Sequence, residues 1–412
     1  MEQGFFEVVS RERFEELLRG FPLLETETVP LERCHGRILA QDLAAPEDLP
    51  ALARSCMDGF AVRARDVFGA SGGGPAYLEL AGEIAVDRAP DFALSPGTCA
   101  RIPTGGALPE GADAVVMVEQ THEMSGTVEV RKSLAPGDNV MLQGEDVLAG
   151  GLALEAGRLL RVPEVGLLAA LGLLEAPVRR RARVDVLSTG NEVVPVSARP
   201  KPGQVRDVNS LALACLAQEA GAEARTRGIL PDRLETLRTA LLESLDASDC
   251  VLLSGGSSVG VRDLTVAALE TLPEAAVLAH GVALSPGKPT ILARVGGKPV
   301  IGLPGQVASA QVVMLVLVQP FLRHLMGDAR AFDRSRRVLR PAELARNLAS
   351  KPGREDYVRV RLEEREGRPP LAHPLPGKSG LLKTLLQAQG LVAVPADREG
   401  LYAGAAVDVW LL

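Results

Sequence analysis

The sequence predicts a multidomain α/β-plus-β protein, and three observations carry that reading. From Val184 to about Met326, short apolar runs alternate with helical patterns, as in a three-layer α/β domain built on a mostly parallel sheet. Between residues 46 and 144 the pattern changes to short β-type runs separated by Gly/Pro turns such as Ser71-Gly72-Gly73-Gly74-Pro75, which predicts a small all-β module. After Asp333, β signals return at Tyr357–Leu362, Leu391–Val394 and Ala406–Leu411, so a small C-terminal β domain is expected.

In order along the chain, Ser10 caps a predicted helix over Arg11–Arg19 that stops at Gly20. A second short helix is expected over Leu31–Leu43, after Pro30. The β module should use Gly59–Val62, Tyr77–Leu80, Cys99–Ile102, Ala114–Glu119 and Thr127–Arg131. Pro163 suits the first turn of a helix over Glu164–Leu171, with Gly172 as its stop. Arg179–Arg183 reads as a short basic hinge, a solvated linker in preference to a binding patch.

Within the α/β domain, Val184–Leu187 and Cys250–Leu253 read as strands, and Asn209 or Ser210 as the cap of helix Leu211–Ala220. Helix Pro231–Leu245 leads into the second of these strands, and helix Asp263–Leu272 follows the glycine turn after it. Strands are expected at Val282–Leu284, Thr290–Ala293 and Val300–Leu303. The apolar run Val307–Val318 falls short of the roughly 18 residues of a membrane span and reads as a buried helix.

Bulk properties narrow the function. With 46% hydrophobic and 24% charged residues, the 412-residue chain reads as a globular protein able to bury a large core. A net charge of −7, a pI of 5.5 and only 3% aromatic residues argue against a nucleic-acid surface. The five cysteines are scattered and never spaced C-x-x-C, which suits reduced thiols and a cytoplasmic location, and MEQGFFEVVSRER does not read as a secretory signal. The histidines show no zinc spacing.

Four loops carry polar groups and should gather at one rim of a parallel sheet. They are Ser188-Thr189-Gly190-Asn191-Glu192, the glycine turn Ser254–Gly260 with Asp263, Ser285-Pro286-Gly287-Lys288-Pro289, and Pro304-Gly305-Gln306. A strand, a glycine turn and a helix start aim backbone N–H groups at an anion, although an ordinary βα loop has the same composition. Lys288 would add positive charge; Glu192 and Asp263 would hold a hard cation such as Mg2+. Each also has a plain alternative, a surface lysine for Lys288 and a helix N-cap for Asp263. In the β module, Asp58 sits before a strand in Ser55-Cys56-Met57-Asp58-Gly59, where a simple Asp-Gly hairpin turn is the competing account. Gly144-Glu145-Asp146 is either a ligand or a cap.

Taken in order, these segments resemble the MoeA family of molybdopterin molybdenumtransferases, which includes the E domain of gephyrin. The matching stretches are SCMDGFAVR (55–63), PTGGALPEGADAVVMVE (103–119), GEDVLAG (144–150), LSTGNEV (187–193), LLSGGSSVGVRD (252–263), SPGKPT (285–290) and LPGQVASA (303–310). The resemblance implies four parts: an elongated connecting domain from residues 1–45 and 145–178, an inserted β module (46–144), an α/β molybdopterin-binding domain (179–328) and a β-barrel-like C-terminal domain (329–412). It further implies a homodimer whose site is completed across the interface. The implied reaction inserts molybdate into adenylylated molybdopterin with release of AMP, dependent on Mg2+. An adenylyltransferase and molybdoenzyme maturation proteins are implied partners, with no membrane or nucleic acid involved. A pterin-nucleotide-binding paralogue without efficient insertion is the alternative.

Carried over by resemblance, Asp263, Glu192, Asp58 and Lys288 take catalytic roles, with Asp263 and Glu192 also positioning the metal. Substrate contacts fall to Thr104, Ser188, Thr189, Gly255, Gly256, Ser257, Ser258 and Gly260 on one side. Pro286, Gly287, Pro304, Gly305, Arg354 and Ser379 complete them. The chain departs from the family at Ser285, where lysine is usual, at Gln306-Val307, where asparagine-proline is usual, and at Asn191, where aspartate is frequent. Lys378 replaces a usual glycine and offers a compensating charge.

Overall fold

The computed structural model describes residues 8–255 and 259–412, and of residues 259–263 the backbone only. Its centre is a six-stranded sheet in the order 223–230, 183–189, 250–254, 298–303, 291–295, 275–280. The first four strands are parallel, Ile291–Val295 runs antiparallel to them, and Ala275–His280 pairs antiparallel with Ile291–Val295 in turn, so the sheet is mixed. Side chains alternate across it as the period of two requires. Val184, Val186, Leu252 and Ile301 face a core shared with helix Asn209–Glu219 and the helix that starts at Val307. Leu187, Val251, Leu253 and Val300 face helices Leu234–Ala247 and Val259–Glu270. Three layers result.

The apolar helix from Val307 runs to Leu325, through a π-type turn at Met314–Val318. By length and composition it would cross a membrane, but 67% of it is buried in the protein, as a core helix is.

Helix Arg11–Arg19 forms as expected, with the Ser10 hydroxyl accepting from the Arg13 amide at 3.1 Å. The expected helix over Leu31–Leu43 does not form. Only Leu31–Arg33 turns, as a single 3-10 turn, because Ile38 and Leu39 bridge to Leu159 and Val178 and hold the rest extended. Strand Thr26–Pro30 pairs with Glu175–Arg179, and Leu43–Ala44 with Leu152–Leu154, joining the stretches before and after the β module. That module holds a six-stranded sheet that includes Gly59–Val62, Thr98–Ile102 and Ala114–Met117. Expected strand Ala114–Glu119 stops at Met117, where a 3-10 turn begins.

The basic stretch 179–183 is not a solvated linker. Arg179 ends one strand and Arg183 begins another, while the Arg180 guanidinium forks onto both oxygens of Asp249 at 2.5 and 2.8 Å. Burial pushes the Asp249 carboxyl up, but Arg180 and the Arg183 amide outweigh it and hold it below its ordinary value. The strand expected at Val282–Leu284 is also displaced. Ala275–His280 forms the sheet edge instead, and Leu284–Ser285 pairs with Glu355-Asp356. Glu223–Leu230, which carries charged residues at exposed positions, is a strand the periodicity does not reveal.

In the C-terminal region, strands 355–365, 368–374, 339–344, 406–411 and 390–394 pair in turn, and the last pairs back with the first. This closes a five-stranded barrel without free edges.

Candidate functional site

The parallel strands ending at Thr189, Ser254 and Leu303 lie side by side, with Ser188 opposite Ser254 and Ser254 opposite Leu303. Their loops therefore leave at one rim, where a cleft of about 500 Å3 opens. Ser188, Thr189, Glu192, Gly255, Gly305 and Gln306 line it. A second pocket of about 210 Å3 adjoins through Gly255, Gly305 and Gln306 and reaches Pro304, Pro289 and Thr265.

The floor of the cleft is a buried polar network that the motifs only half revealed. The Ser188 hydroxyl donates to Asp207 Oδ1 at 2.8 Å, and the Ser210 hydroxyl to Asp207 Oδ2 at 2.5 Å. Asn209 Nδ2 donates to Ser254 Oγ at 2.7 Å and to the Gly305 carbonyl at 2.9 Å, tying three rim loops together. Asn209 Oδ1 is buried without a partner, an acceptor that a ligand donor would satisfy. The expected cap at Asn209 or Ser210 is corrected. The helix begins at Asn209 after Val208, and Asp207 Oδ1 accepts from the Ser210 amide at 3.1 Å. Its signal in the sequence was Asp207-Val208-Asn209-Ser210, three polar residues where a cap needs one.

Gly255 is required by close packing of two rim loops. Its φ is +151°, and a Cβ there would lie 2.1 Å from Thr189 Oγ1. Gly256, Ser257 and Ser258 lie outside the described residues, as does the side chain of Asp263, while Gly260 is described by its backbone. Asp263 nonetheless falls inside helix Val259–Glu270, which excludes the N-cap account for it.

Glu192 is exposed on the cleft wall. Beside it, Asn191 and Asp232 exchange backbone-to-side-chain hydrogen bonds, each at 3.2 Å, and Asp232 Oδ1 is left buried without a partner. Sequence reasoning passed over Asp232; its only signal was a Pro-Asp pair ahead of a helix. Among the described residues no group of three or more His, Cys, Asp or Glu is placed to hold a metal ion.

The third loop reaches the rim by a different route from the one expected. It leaves strand Leu284–Ser285, which belongs to the barrel sheet, and enters Ile291–Val295. Because that strand runs antiparallel, with Ile291 opposite Gly302, its beginning meets the ends of its parallel neighbours. Pro289 thus joins the smaller pocket, and Gly287, at φ +141°, has room for no Cβ against Leu284 and Val313. Pro286 is half-buried beside it, and Lys288 is exposed and lines neither pocket.

The C-terminal domain supplies the remaining wall. The Ser379 carbonyl accepts from the Ala308 amide at 2.9 Å, and Gly380 and Leu382 line the cleft. Arg359, not anticipated from the sequence, is 7% exposed and donates to Thr384 Oγ1 and to the Gly377 carbonyl. Burial without a carboxylate partner holds its guanidinium below its ordinary value. Arg354 donates to Asp356 at 3.2 Å and does not line the cleft, although its Nε is buried without a partner.

In the β module, Asp58 Oδ1 accepts from the Thr104 amide at 2.7 Å and the Thr104 hydroxyl at 2.9 Å. These two bonds hold the Asp58 carboxyl below its ordinary value. The hairpin account fails. Gly59 has no positive φ and is needed because a Cβ would lie 1.9 Å from the Val116 carbonyl of the paired strand. Asp58 opens onto a pocket of about 190 Å3 with Arg101 and Pro103, and no residue of that pocket lines the α/β cleft. Glu145 closes a turn and caps no helix, its carboxylate accepting from the Leu142 amide at 2.8 Å.

Three family models cover most of the chain. The MoeA N-terminal region (domain I and II) matches residues 9–172, a probable molybdopterin binding domain matches 185–324, and the MoeA C-terminal region (domain IV) matches 341–412. Molybdopterin molybdenumtransferase 2 of Mycobacterium tuberculosis is 35% identical over 93% of this chain and 94% of its own length. The chain belongs to the MoeA family. Another member, the molybdopterin molybdenumtransferase of a Nostoc species, is 37% identical over 75% of this chain and 71% of its own. Among solved structures, a molybdopterin biosynthesis MoeA protein from Pyrococcus horikoshii is 36% identical, with a TM-score of 0.77 over 98% of this chain and 99% of its own. The mixed sheet and closed barrel described above are thus those of a MoeA fold.

Proposed function

We infer that this MoeA-family chain is a molybdopterin molybdenumtransferase, which inserts molybdate into adenylylated molybdopterin and releases AMP as the last step of molybdenum cofactor synthesis. The observation that carries the reading is the cleft whose floor is the Ser188–Asp207–Asn209 network and whose wall includes the Ser379–Leu382 segment, in a chain 35% identical to a protein of that name. Two anions, the molybdate and the pyrophosphate of the adenylylated pterin, must be held close together. Their repulsion calls for N–H groups and cations around the cleft. Rim-loop amides, Lys288 and the buried Arg359 are our assignments for that charge, with Lys378 in the place where Ser285 leaves one missing.

Mg2+ fits the donor set. One or two carboxylates plus phosphate oxygens suffice for this ion, so the absence of a three-ligand cluster among the described residues is consistent with it. Glu192 and Asp263 would hold it, and it would offset charge on the pyrophosphate. Ser188, Thr189, Gly255 and the 304–306 turn would orient the nucleotide. Asp58 and Thr104 would enter from the β module of a second copy, since their pocket shares no residue with the cleft. That makes the working unit a homodimer, and we place it in the cytoplasm, where it would receive its pterin from an adenylyltransferase and pass the cofactor to maturation proteins.

The test is a turnover assay with purified protein, adenylylated molybdopterin, molybdate and Mg2+, following AMP and cofactor together. Molybdate-dependent appearance of both is expected. Tight pterin-nucleotide binding without AMP release would move the chain to the binding-only class.

A further inference from the structure

Away from the cleft, where the stretch around residue 37, the Arg179–Arg181 turn and the far ends of two helices meet, lies a cavity of about 430 Å3. Five arginines line it, 37, 179, 181, 323 and 336, against two carboxylates, Glu219 and Asp328. Three of the arginines have structural work. Arg336 Nη1 donates to both oxygens of Asp328 at 2.7 and 2.9 Å, Arg37 pairs with Glu27, and Arg179 donates to the Leu24 carbonyl at 2.8 Å. Arg181 and Arg323 are different. Both are exposed, and among the described residues neither side chain makes a hydrogen bond or an ion pair within 4.0 Å.

The competing account is that these arginines merely offset the negative ends of helices Asn209–Glu219 and Gln319–Leu325, which finish here. Each helix end is worth about half a charge, so the two together neutralise roughly one arginine. Glu219, Asp328 and Glu27 neutralise three more. One positive charge remains, and the two guanidiniums free to swing onto a ligand stand on separate elements facing the same space. A guanidinium fork matches phosphate oxygens in pairs.

We propose that this cavity, walled by Arg179, Arg181 and Arg323, is a binding site for a small phosphate-bearing dianion or polyanion, separate from the molybdopterin cleft. Such a ligand bridges the connecting strands and the α/β domain, because Arg179 ends a strand of one and Arg323 a helix of the other. The same phosphate chemistry is offered by inorganic pyrophosphate and by the terminal phosphates of a nucleotide.

Isothermal titration of the full-length protein with inorganic pyrophosphate, and separately with ADP, at about 0.15 M salt tests the site. R181A and R323A remove exposed side chains without bonds, so folding is retained, which the thermal midpoint without ligand checks. Each loses one to two charge-assisted bonds, and affinity should fall roughly tenfold or more per variant. Any binding of these ligands in the molybdopterin cleft should survive R181A and R323A, which separates the two sites. Loss with pyrophosphate and ADP alike identifies the phosphates as the recognised group, and loss with ADP alone identifies a nucleotide site. Wild-type affinity for both ligands in R181A and R323A overturns the proposal, as does no binding to the wild-type protein.

Discussion

The α/β cleft and the Asp58 turn are two ways of holding polar groups for use. In the cleft, Asp207 and Asn209 are 7% and 9% exposed, and each makes several hydrogen bonds inside the protein. At the turn, the Asp58 carboxylate is open to solvent and, among the described residues, bonds only to Thr104. Buried donors and acceptors that satisfy one another fix a geometry before any ligand arrives. An open carboxylate held at one oxygen fixes its direction but leaves the other face for something else to cover. In the composite site we propose, the cleft is the preorganised half and the β-module turn is the half left open.

The largest effect should come from the metal-positioning role we assign to Asp263. An Asp263→Asn variant is expected to lose molybdenum insertion by about 100-fold or more while keeping its fold, measured by AMP release beside circular dichroism. Near wild-type insertion would remove Asp263 from the site. Next, Asp58→Ala should lower insertion by roughly 10- to 100-fold with no change in melting temperature, since the carboxylate supports only one neighbour. A marked loss of stability there would blur the contrast between the two regions.

Asp207→Ala should do the reverse. It leaves two hydroxyls and an amide without their acceptor, and denaturant unfolding should show a loss of about 2–4 kcal/mol. If Asp207→Ala left stability untouched, the cleft would not be preorganised in the sense argued here. The smallest effect concerns the connecting region. Arg161 and Arg158 outweigh burial and hold the Glu164 carboxyl at about 2, against an ordinary 4.5. Because the folded value is depressed, this stabilisation is complete above pH 4.5 and is lost as the pH falls toward 2. Glu164→Gln should therefore cost roughly 1–3 kcal/mol at pH 7 and little near pH 2, discounted for the exposed arginines. An equal cost at both pH values would locate the effect in packing instead.

What was legible in the sequence follows the same division. Loops rich in glycine and carboxylates announced the rim, because close approach and charge leave few residue types to choose from. Gly255, Gly287 and Glu192 were found that way. Asp207, Arg359 and Asp232 were not. Their roles come from tertiary neighbours, Ser188, Thr384 and Asn191, that lie 19, 25 and 41 positions away. Strand Glu223–Leu230 was missed because its exposed edge position lets charged residues replace the apolar alternation. The expected helix at Leu31–Leu43 had acceptable helix formers and lost to the pairing of Ile38 and Leu39 with distant strands. Local propensity is a weak term beside such contacts.

The account stands most directly on whether the two half-sites combine from different copies of the chain. Asp58→Ala and Asp263→Asn proteins, each strongly impaired alone, can be dissociated, mixed and reassociated before the insertion assay. If the site is composite, every mixed dimer contains one site with both carboxylates intact. Statistical mixing then restores about a quarter of wild-type turnover. No restoration, with mixed dimers demonstrated by mass, would mean that Asp58 and Asp263 serve the same site from one chain or serve no common site at all.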